Sequence, residues 1–296
     1  MEKPKVYFTK EISSDSLIKI YEALNVNLTG KIGVKVSTGE KGARGYLKAE
    51  LIKPLVQKLN GTILECNTAY DGKRNTYEDH IQVAKEHGFD FAPIDIMDKD
   101  GETKIFLKGT KHLNYDIIGK NFVNYDSIIN LAHGKGHPMG GFGANLKNQS
   151  IGIASRNGKA YIHSCGQTQD PNKCWSAKYE QKDFIESMAE AAYAVSSYLK
   201  ENSKKIVYIT VMNFLSLDCD CVSTQRDAVM DDLGIIASLD PVANDTAFMD
   251  MVFSSNQEGA KKLQEHIDSK EGRHILEYAQ ELGMGSMEYE LVDLDK

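Results

Sequence analysis

Hydrophobic and polar positions along this chain follow two periods. Short runs rich in β-branched and aromatic residues fall at 6–9, 31–37, 62–66, 91–97, 127–132, 205–215 and 233–238, each the length of a buried strand. Between them the apolar positions recur every three or four residues. Residues 14–24 carry Leu17, Ile18, Ile20, Tyr21 and Leu24 on one helical face, and 180–201 carry Phe184, Ile185, Met188, Ala192, Val195 and Leu199. Further helices are predicted at 50–60, closed by Gly61, and at 75–87, with Asn75 and Glu78 as a capping box and Gly88 as the stop. Two more lie at 257–267 and 273–282, and Asp240 with Pro241 reads as an N-cap followed by the first helical residue. Residues 104–108 read as a hairpin arm, and 159–164 and 287–294 as strands. Strands separated by helices of this length imply right-handed crossovers. The expected fold is α/β, a mainly parallel sheet with flanking helices, in one domain over residues 1–296 with room for two lobes.

The strand at 127–132 runs into a stretch unlike the rest. Residues 134–143 hold five of the chain's 24 glycines, and His133, Lys135, His137, Lys147 and Lys159 lie in or beside the same span. In open parallel sheets, ligands bind beyond the carboxyl ends of the strands. Glycines let a backbone approach an anion, and a helix N-terminus offers unpaired N–H groups. Span 133–159, set between the two lobes if there are two, is therefore expected to be a strand-to-helix anion loop with a helix at 144–148. Its contacts would be His133, Gly140, Gly141, Gly143, Lys147 and Asn148, with Lys135, His137 and Lys147 as candidate catalytic groups. The span matches neither the Walker pattern nor the dinucleotide fingerprint, and a tight structural turn is the alternative. His133 and His137 are spaced to share a helix face around a metal, but Gly134 and Gly136 oppose a helix there.

A second candidate follows the strand at 205–215. In the run Asp218-Cys219-Asp220-Cys221, an extended backbone would point both sulfurs one way and both carboxylates the other. Two such thiols make half a site for zinc or iron, and Cys165 and Cys174 could supply the other half; reduced cysteines without a ligand are the equal alternative. Three basic groups sit at predicted strand ends: Lys35 with Lys41 and Arg44, Lys73 with Arg74, and Arg156 with Lys159. Converging on one sheet edge, they would draw small anions.

Composition narrows the picture. The 296 residues carry a net charge of −7, which argues against a nucleic-acid binder with a broad basic face. No apolar run reaches the roughly 20 residues of a membrane span. The first residues show no secretory h-region, so a cytoplasmic location is expected, and five cysteines there read as thiols or ligands and not as a disulfide framework. The expected partner is a small anionic ligand.

Three runs carry a family resemblance. They are Lys135-x-His137 through Gly141-Phe-Gly-Ala-x-Leu-Lys-Asn148, the 218–221 run, and Leu233 to Asp245 (LGIIASLDPVAND). In these the chain resembles the bacterial and archaeal family known as domain of unknown function 362. Many members carry a ferredoxin-like insert with two four-cysteine arrays after the segment matching 160–164. This chain has Cys165, Cys174 and a long amphipathic helix instead, so the resemblance leaves at most one site, on Cys219, Cys221, Cys165 and Cys174, for an iron–sulfur cluster, iron or zinc. The order Lys, His, Gly-rich, Lys is also similar to the cofactor-binding part of nickel-pincer lactate racemases, which implies a phosphorylated organic cofactor over the same glycines. Two functions follow as expectations. One is a metal- or iron–sulfur-linked redox or isomerising enzyme for a small anion. The other is a non-catalytic binder of a phosphate- or carboxylate-bearing molecule.

Overall fold

The structure, a computed structural model, describes residues 2–296. In chain order the strands are β1 (Lys5–Thr9), β2 (Ile32–Lys35), β3 (Thr62–Glu65), β4 (Ile94–Ile96), β5 (Glu102–Phe106), β6 (Tyr115–Gly119), β7 (Ser127–His133), β8 (Lys135–His137), β9 (Gly141–Gly143), β10 (Lys205–Met212), β11 (Gly234–Ser238) and β12 (Glu290–Asp293). The helices are α1 (Ser14–Ala23), α2 (Ala49–Lys58), α3 (Tyr77–Glu86), α4 (Asn145–Ile153), α5 (Arg156–His163), α6 (Gln181–Glu201), α7 (Pro241–Phe253), α8 (Ala260–Asp268) and α9 (His274–Glu281).

Eight strands form one sheet in the order β12-β1-β11-β10-β7-β2-β3-β4. Pairing is parallel from β10 through β4 and between β12 and β1, while β11 runs antiparallel to both neighbours. From β2 the chain steps outward to β3 and β4, then returns to place β7 on the other side of β2 and β10 beyond it. The strand order therefore reverses between β2 and β7, and the crevice beyond their carboxyl ends is where open α/β sheets take ligands. Strands β7 and β10 are buried almost throughout, which explains their continuous apolar runs.

Local chemistry explains most of the elements, and where it departs from the sequence reading the cause is visible. Helix α2 contains Pro54, whose missing N–H frees the Glu50 carbonyl; the Ser14 hydroxyl donates to that carbonyl at 3.1 Å. The helix stops with Asn60 in the left-handed region (φ 47°), ahead of the expected Gly61. Helix α3 is capped by the Thr76 hydroxyl, which accepts from Asp79 N, so the box predicted on Asn75 and Glu78 is displaced by one residue. Asp240 caps α7 by accepting from Ala243 N, with Pro241 at the first helical position.

The larger correction concerns residues 159–164, expected as a strand. They belong to α5, whose N-cap Ser155 accepts from Gly158 N at 3.0 Å. Its apolar run was too short for its period to be read. Helix α6 buries its apolar face against α4, α5 and α9, so that face is core. No described helix is long and apolar enough to cross a membrane.

Helix α5 lies so close to β6 that Gly158 has no room for a side chain: a Cβ there would stand 1.9 Å from the Ile117 carbonyl oxygen. Alanine is the better helix former by about 1 kcal/mol, yet Gly158→Ala is expected to destabilise by about 1–3 kcal/mol through backbone overlap. Urea unfolding checks this, and an unchanged or raised midpoint would show that α5 does not pack as described.

Candidate active site

The carboxyl ends of β2, β3, β7 and β10 meet at the reversal point, and each contributes charge. Lys35 closes β2 and Glu65 closes β3; both are buried, with Lys35 Nζ 3.0 Å from Glu65 Oε2. Glu65 also accepts from Thr38 N at 2.8 Å and Arg74 Nη1 at 3.1 Å. Burial alone would lift this carboxyl, but Lys35, Arg74 and His80 overcome it and hold the group at about 2. Arg74 reaches on to Tyr70 OH at 3.0 Å and Glu40 at 3.6 Å.

The same ion pair holds α4. Asn148 Oδ1 accepts from Lys35 Nζ at 3.2 Å, while its amide donates to Lys35 O at 3.0 Å and Asn130 Oδ1 at 2.7 Å. Asn148, expected to touch the anion, has its hydrogen-bonding groups engaged in pinning α4 to β2 and β7. Its neighbour Lys147 is thereby aimed into the crevice.

Beyond β7, Lys135 Nζ pairs with Asp220 and lies 2.8 Å from His133 Nδ1 and 3.2 Å from Gly45 O. His133 Nε2 is 2.7 Å from Asn213 O, so that nitrogen carries the proton and Nδ1 accepts from Lys135. Burial opposes the Asp220 charge, but the Lys135 ammonium keeps its carboxyl well below the ordinary range. Segment 218–221 is bent and turned, not extended as expected, with Val222 N bonding Cys219 O. Asp218 is held outside by Arg226 (2.6 and 2.8 Å). The Cys221 thiol hydrogen-bonds Cys219, bringing its pKa down to about 6 against burial, with Lys147 assisting; that same bond pushes Cys221 well up. The two sulfurs thus share a proton beside Lys147, whose Nζ lies 4.0 Å from Cys221 Sγ. Burial disfavours this ammonium, yet Cys221, Cys219 and Asp220 raise its pKa.

Two spaces open here and share Lys147 and Cys219. A small polar pocket of about 30 Å³ is bounded by Lys135, His133, Asp220, Gly143 and Asn148 among others. A larger cavity of about 200 Å³ is bounded by Lys147, Lys159, His137, His163, Trp175 and Cys221 among others. Lys147 and Lys159 form no ion pair with a carboxylate among the described residues; Lys159 Nζ donates to Ala154 O at 2.5 Å. His137 Nδ1 accepts from Gly140 N at 2.9 Å, so Nε2 carries its proton; burial and then Lys147 hold the imidazole neutral, with a pKa of about 3.

The glycines act differently from expectation. The stretch is a hairpin, β8 with β9, leading into α4. A Cβ at Gly136 would meet the backbone of Leu217 at 2.6 Å, and one at Gly141 (φ 77°) the Ile267 carbonyl at 2.9 Å. Gly140 donates its N–H to His137. Gly136 and Gly143 border the polar pocket, whereas Gly140 and Gly141 do not. The free N–H groups expected at the start of α4 are taken by Asp245, which accepts from Asn145 N and Leu146 N, both at 2.9 Å. Any anion here would meet side chains and not a bare helix end.

The four-cysteine site does not assemble. Cys165 lies beside Ser187, and Cys174 Sγ donates to Pro171 O at 3.4 Å, while Cys219 and Cys221 adjoin each other. Among the described residues no three His, Cys, Asp or Glu side chains are grouped to hold a metal ion. Two sulfurs do not make an iron–sulfur or tetrahedral zinc site, so these residues do not fit that group. Of the basic clusters, Lys35, Arg74 and Lys159 converge, whereas Lys41 pairs with Glu86 and Arg44 with Asp227 on the surface. Glu65, Tyr70 and Trp175 were missed. Glu65 had one readable signal, a carboxylate at the end of an apolar strand.

A mainly parallel sheet with flanking helices, its cations and a thiol pair gathered at the reversal point, places the chain among the α/β proteins. The chain belongs to the family described as a domain of unknown function (DUF362), which it matches over residues 32–250. Among solved structures it is similar to the lactate racemase apoprotein from Thermoanaerobacterium thermosaccharolyticum, at TM-score 0.50 and 12% identity over 85% of this chain and 57% of that one. A Thermotoga maritima protein aligns at TM-score 0.44 and 13% identity, over 88% of this chain and 59% of the other. The chain thus spans less than two thirds of either, and at these identities the likeness concerns the fold. A search of curated proteins finds no match.

Burial also sets an acid limit. His80 is fully buried beside Glu65, and burial lowers its pKa to about 3; His163 is lowered likewise. Unfolded histidine takes up a proton near 6.5, so these groups stabilise the fold fully above that pH and lose their contribution as pH falls toward 3. Glu65 adds a loss below about 4.5 as pH falls through its folded value of about 2. The urea midpoint is expected to fall between pH 7 and 5, and His80→Gln to flatten part of that slope. An equally steep slope in the variant would remove His80 from the cause.

Proposed function

We propose that this protein is an enzyme acting on a small organic anion, a substrate or cofactor bearing carboxylate or phosphate, held in the crevice between α4 and the 218–221 turn. The observation that carries the reading is the pair Lys147 and Lys159, two cations on one cavity without carboxylate partners. One thiolate beside Lys147 leaves the two lysines with an excess of positive charge on this space, which is costly unless a further anion answers it. The polar pocket suits part of the anionic group: its roughly 30 Å³ matches about two water-sized oxygens, with Lys147 at the junction as donor and Lys159 facing the rest of the charge from the larger cavity.

The Cys219 thiolate, at the junction of the two spaces, is the group we assign as base or nucleophile. Lys147 stabilises negative charge beside it, and the neutral His137 offers a proton donor at Nε2. Asp220, Lys135 and His133 form the fixed wall that orients the turn. The donor set does not support a resident iron–sulfur or zinc centre, and no step is assigned to one. Likeness in fold to the racemase apoprotein is compatible with a phosphorylated organic cofactor in the same crevice; such a group would supply electrophilic chemistry, and Lys147 and Lys159 would hold its anionic part. Five unpaired cysteines suit a reducing cytoplasm. The second reading, binding without catalysis, uses the same lysines and leaves the thiolate idle.

Inorganic phosphate titrated calorimetrically is expected to bind at least about tenfold more weakly to Lys147→Gln. Equal affinity in the variant would refute the anion site. The thiolate is tested by iodoacetamide: alkylation of Cys219 near pH 7 should be slowed by saturating phosphate and by Lys147→Gln. Alkylation indifferent to both would favour the non-catalytic reading.

A further inference from the structure

We infer that the anion this site takes carries a planar, aromatic-sized ring, seated in the larger cavity against Trp175 and His163. The inference rests on the anion site just proposed and names the class of molecule that fills it. The two spaces have different walls. The small pocket is bounded by charge, whereas the larger one is faced by Trp175, Met139, Pro138, Ile151 and Val222 together with the His163 ring. Its volume of about 200 Å³ exceeds what a carboxylate or phosphate group needs. A dry engineered cavity of about 150 Å³ in another protein accepts benzene, so one ring with a small substituent fits.

The wall is shaped for a flat face. His163 stacks on Phe184 (centroids 5.2 Å apart, 15° between planes), which fixes the imidazole in the wall, and Trp175 meets it at 5.0 Å and 42°. Trp175 is 48% exposed, an indole left partly uncovered at the cavity rim, while His163 is 8% exposed with Nδ1 unpartnered. His137 adds an Nε2–H with no partner among the described residues. Aromatic faces gain from stacking a ring beyond the area they bury, and an alkyl chain of similar size gains only the area. Because the cavity and the polar pocket share Lys147 and Cys219, a ring in one and an anionic group in the other belong to one molecule, with their junction beside the thiolate.

Trp175 is the chain's only tryptophan, so its fluorescence reports the cavity directly. The test compares inorganic phosphate, n-butyl phosphate and phenyl phosphate by calorimetry on the full chain, with the fluorescence followed in parallel. Phenyl phosphate is expected to bind about tenfold or more tighter than either of the others and to change the Trp175 emission. Trp175→Ala should bring phenyl phosphate down toward inorganic phosphate and leave inorganic phosphate unchanged; the residue's exposure makes a folding defect an unlikely confounder, and circular dichroism of the variant checks it. Phenyl and n-butyl phosphate binding alike, or a preference that survives Trp175→Ala, would overturn the ring assignment while leaving the anion site intact. Phosphate and phenyl phosphate both insensitive to Lys147→Gln would overturn the anion site itself.

Discussion

The burial of one carboxylate, Glu65, between Lys35 and Arg74 is the constraint on which the site depends. A buried charge that loses its partner costs about 3–5 kcal/mol, so the three side chains hold one another in place at the ends of β2 and β3. Lys35 then passes the constraint outward through Asn148 to α4, and α4 carries Lys147. The ladder also ties the loop after β2 to the turn after β10, since Glu40 N bonds Asp220 O at 2.8 Å. The crevice is rigid because its walls share one network of charge and hydrogen bonds.

Within that frame, the chain separates cations that are answered from cations that are not. Lys35, Arg74 and Lys135 each have a buried carboxylate. Lys147 and Lys159 have none among the described residues, and both face the cavity. Even the helix end that could have received an anion is filled by Asp245. The space left open lies at the reversal of strand order, where parallel sheets leave an opening.

Much of the fold was legible in the sequence because buried parallel strands are continuous apolar runs: β2, β3, β10 and β11 lie within the predicted segments, and β7 runs one residue past its own. The crevice proposed as the site was marked in the sequence as well, since the glycine cluster at 134–143 follows β7 directly. The reason for the glycines was not: Gly136 and Gly141 serve contact with other backbone, brought up by segments 80 and more than 120 residues away in sequence. Helix α5 was misread because Ala160-Tyr161-Ile162 carries no period of its own, only the N-cap Ser155 marks a helix start, and Gly158, present for its close approach to Ile117, argues against one. The pairing of Cys165 and Cys174 with Cys219 and Cys221 failed because spacing says nothing about which loops a crossover brings together. Trp175 and His163 were invisible as cavity residues for the same reason.

The most direct measurement is a crystal structure of the protein soaked with tungstate, an electron-dense phosphate mimic, at matched ionic strength. The charge arrangement predicts anomalous density inside the crevice, within hydrogen-bonding distance of Lys147 Nζ, and its loss in Lys147→Gln. Density confined to the molecular surface, with the crevice holding water alone, would contradict the claim that these unpaired lysines form an anion site.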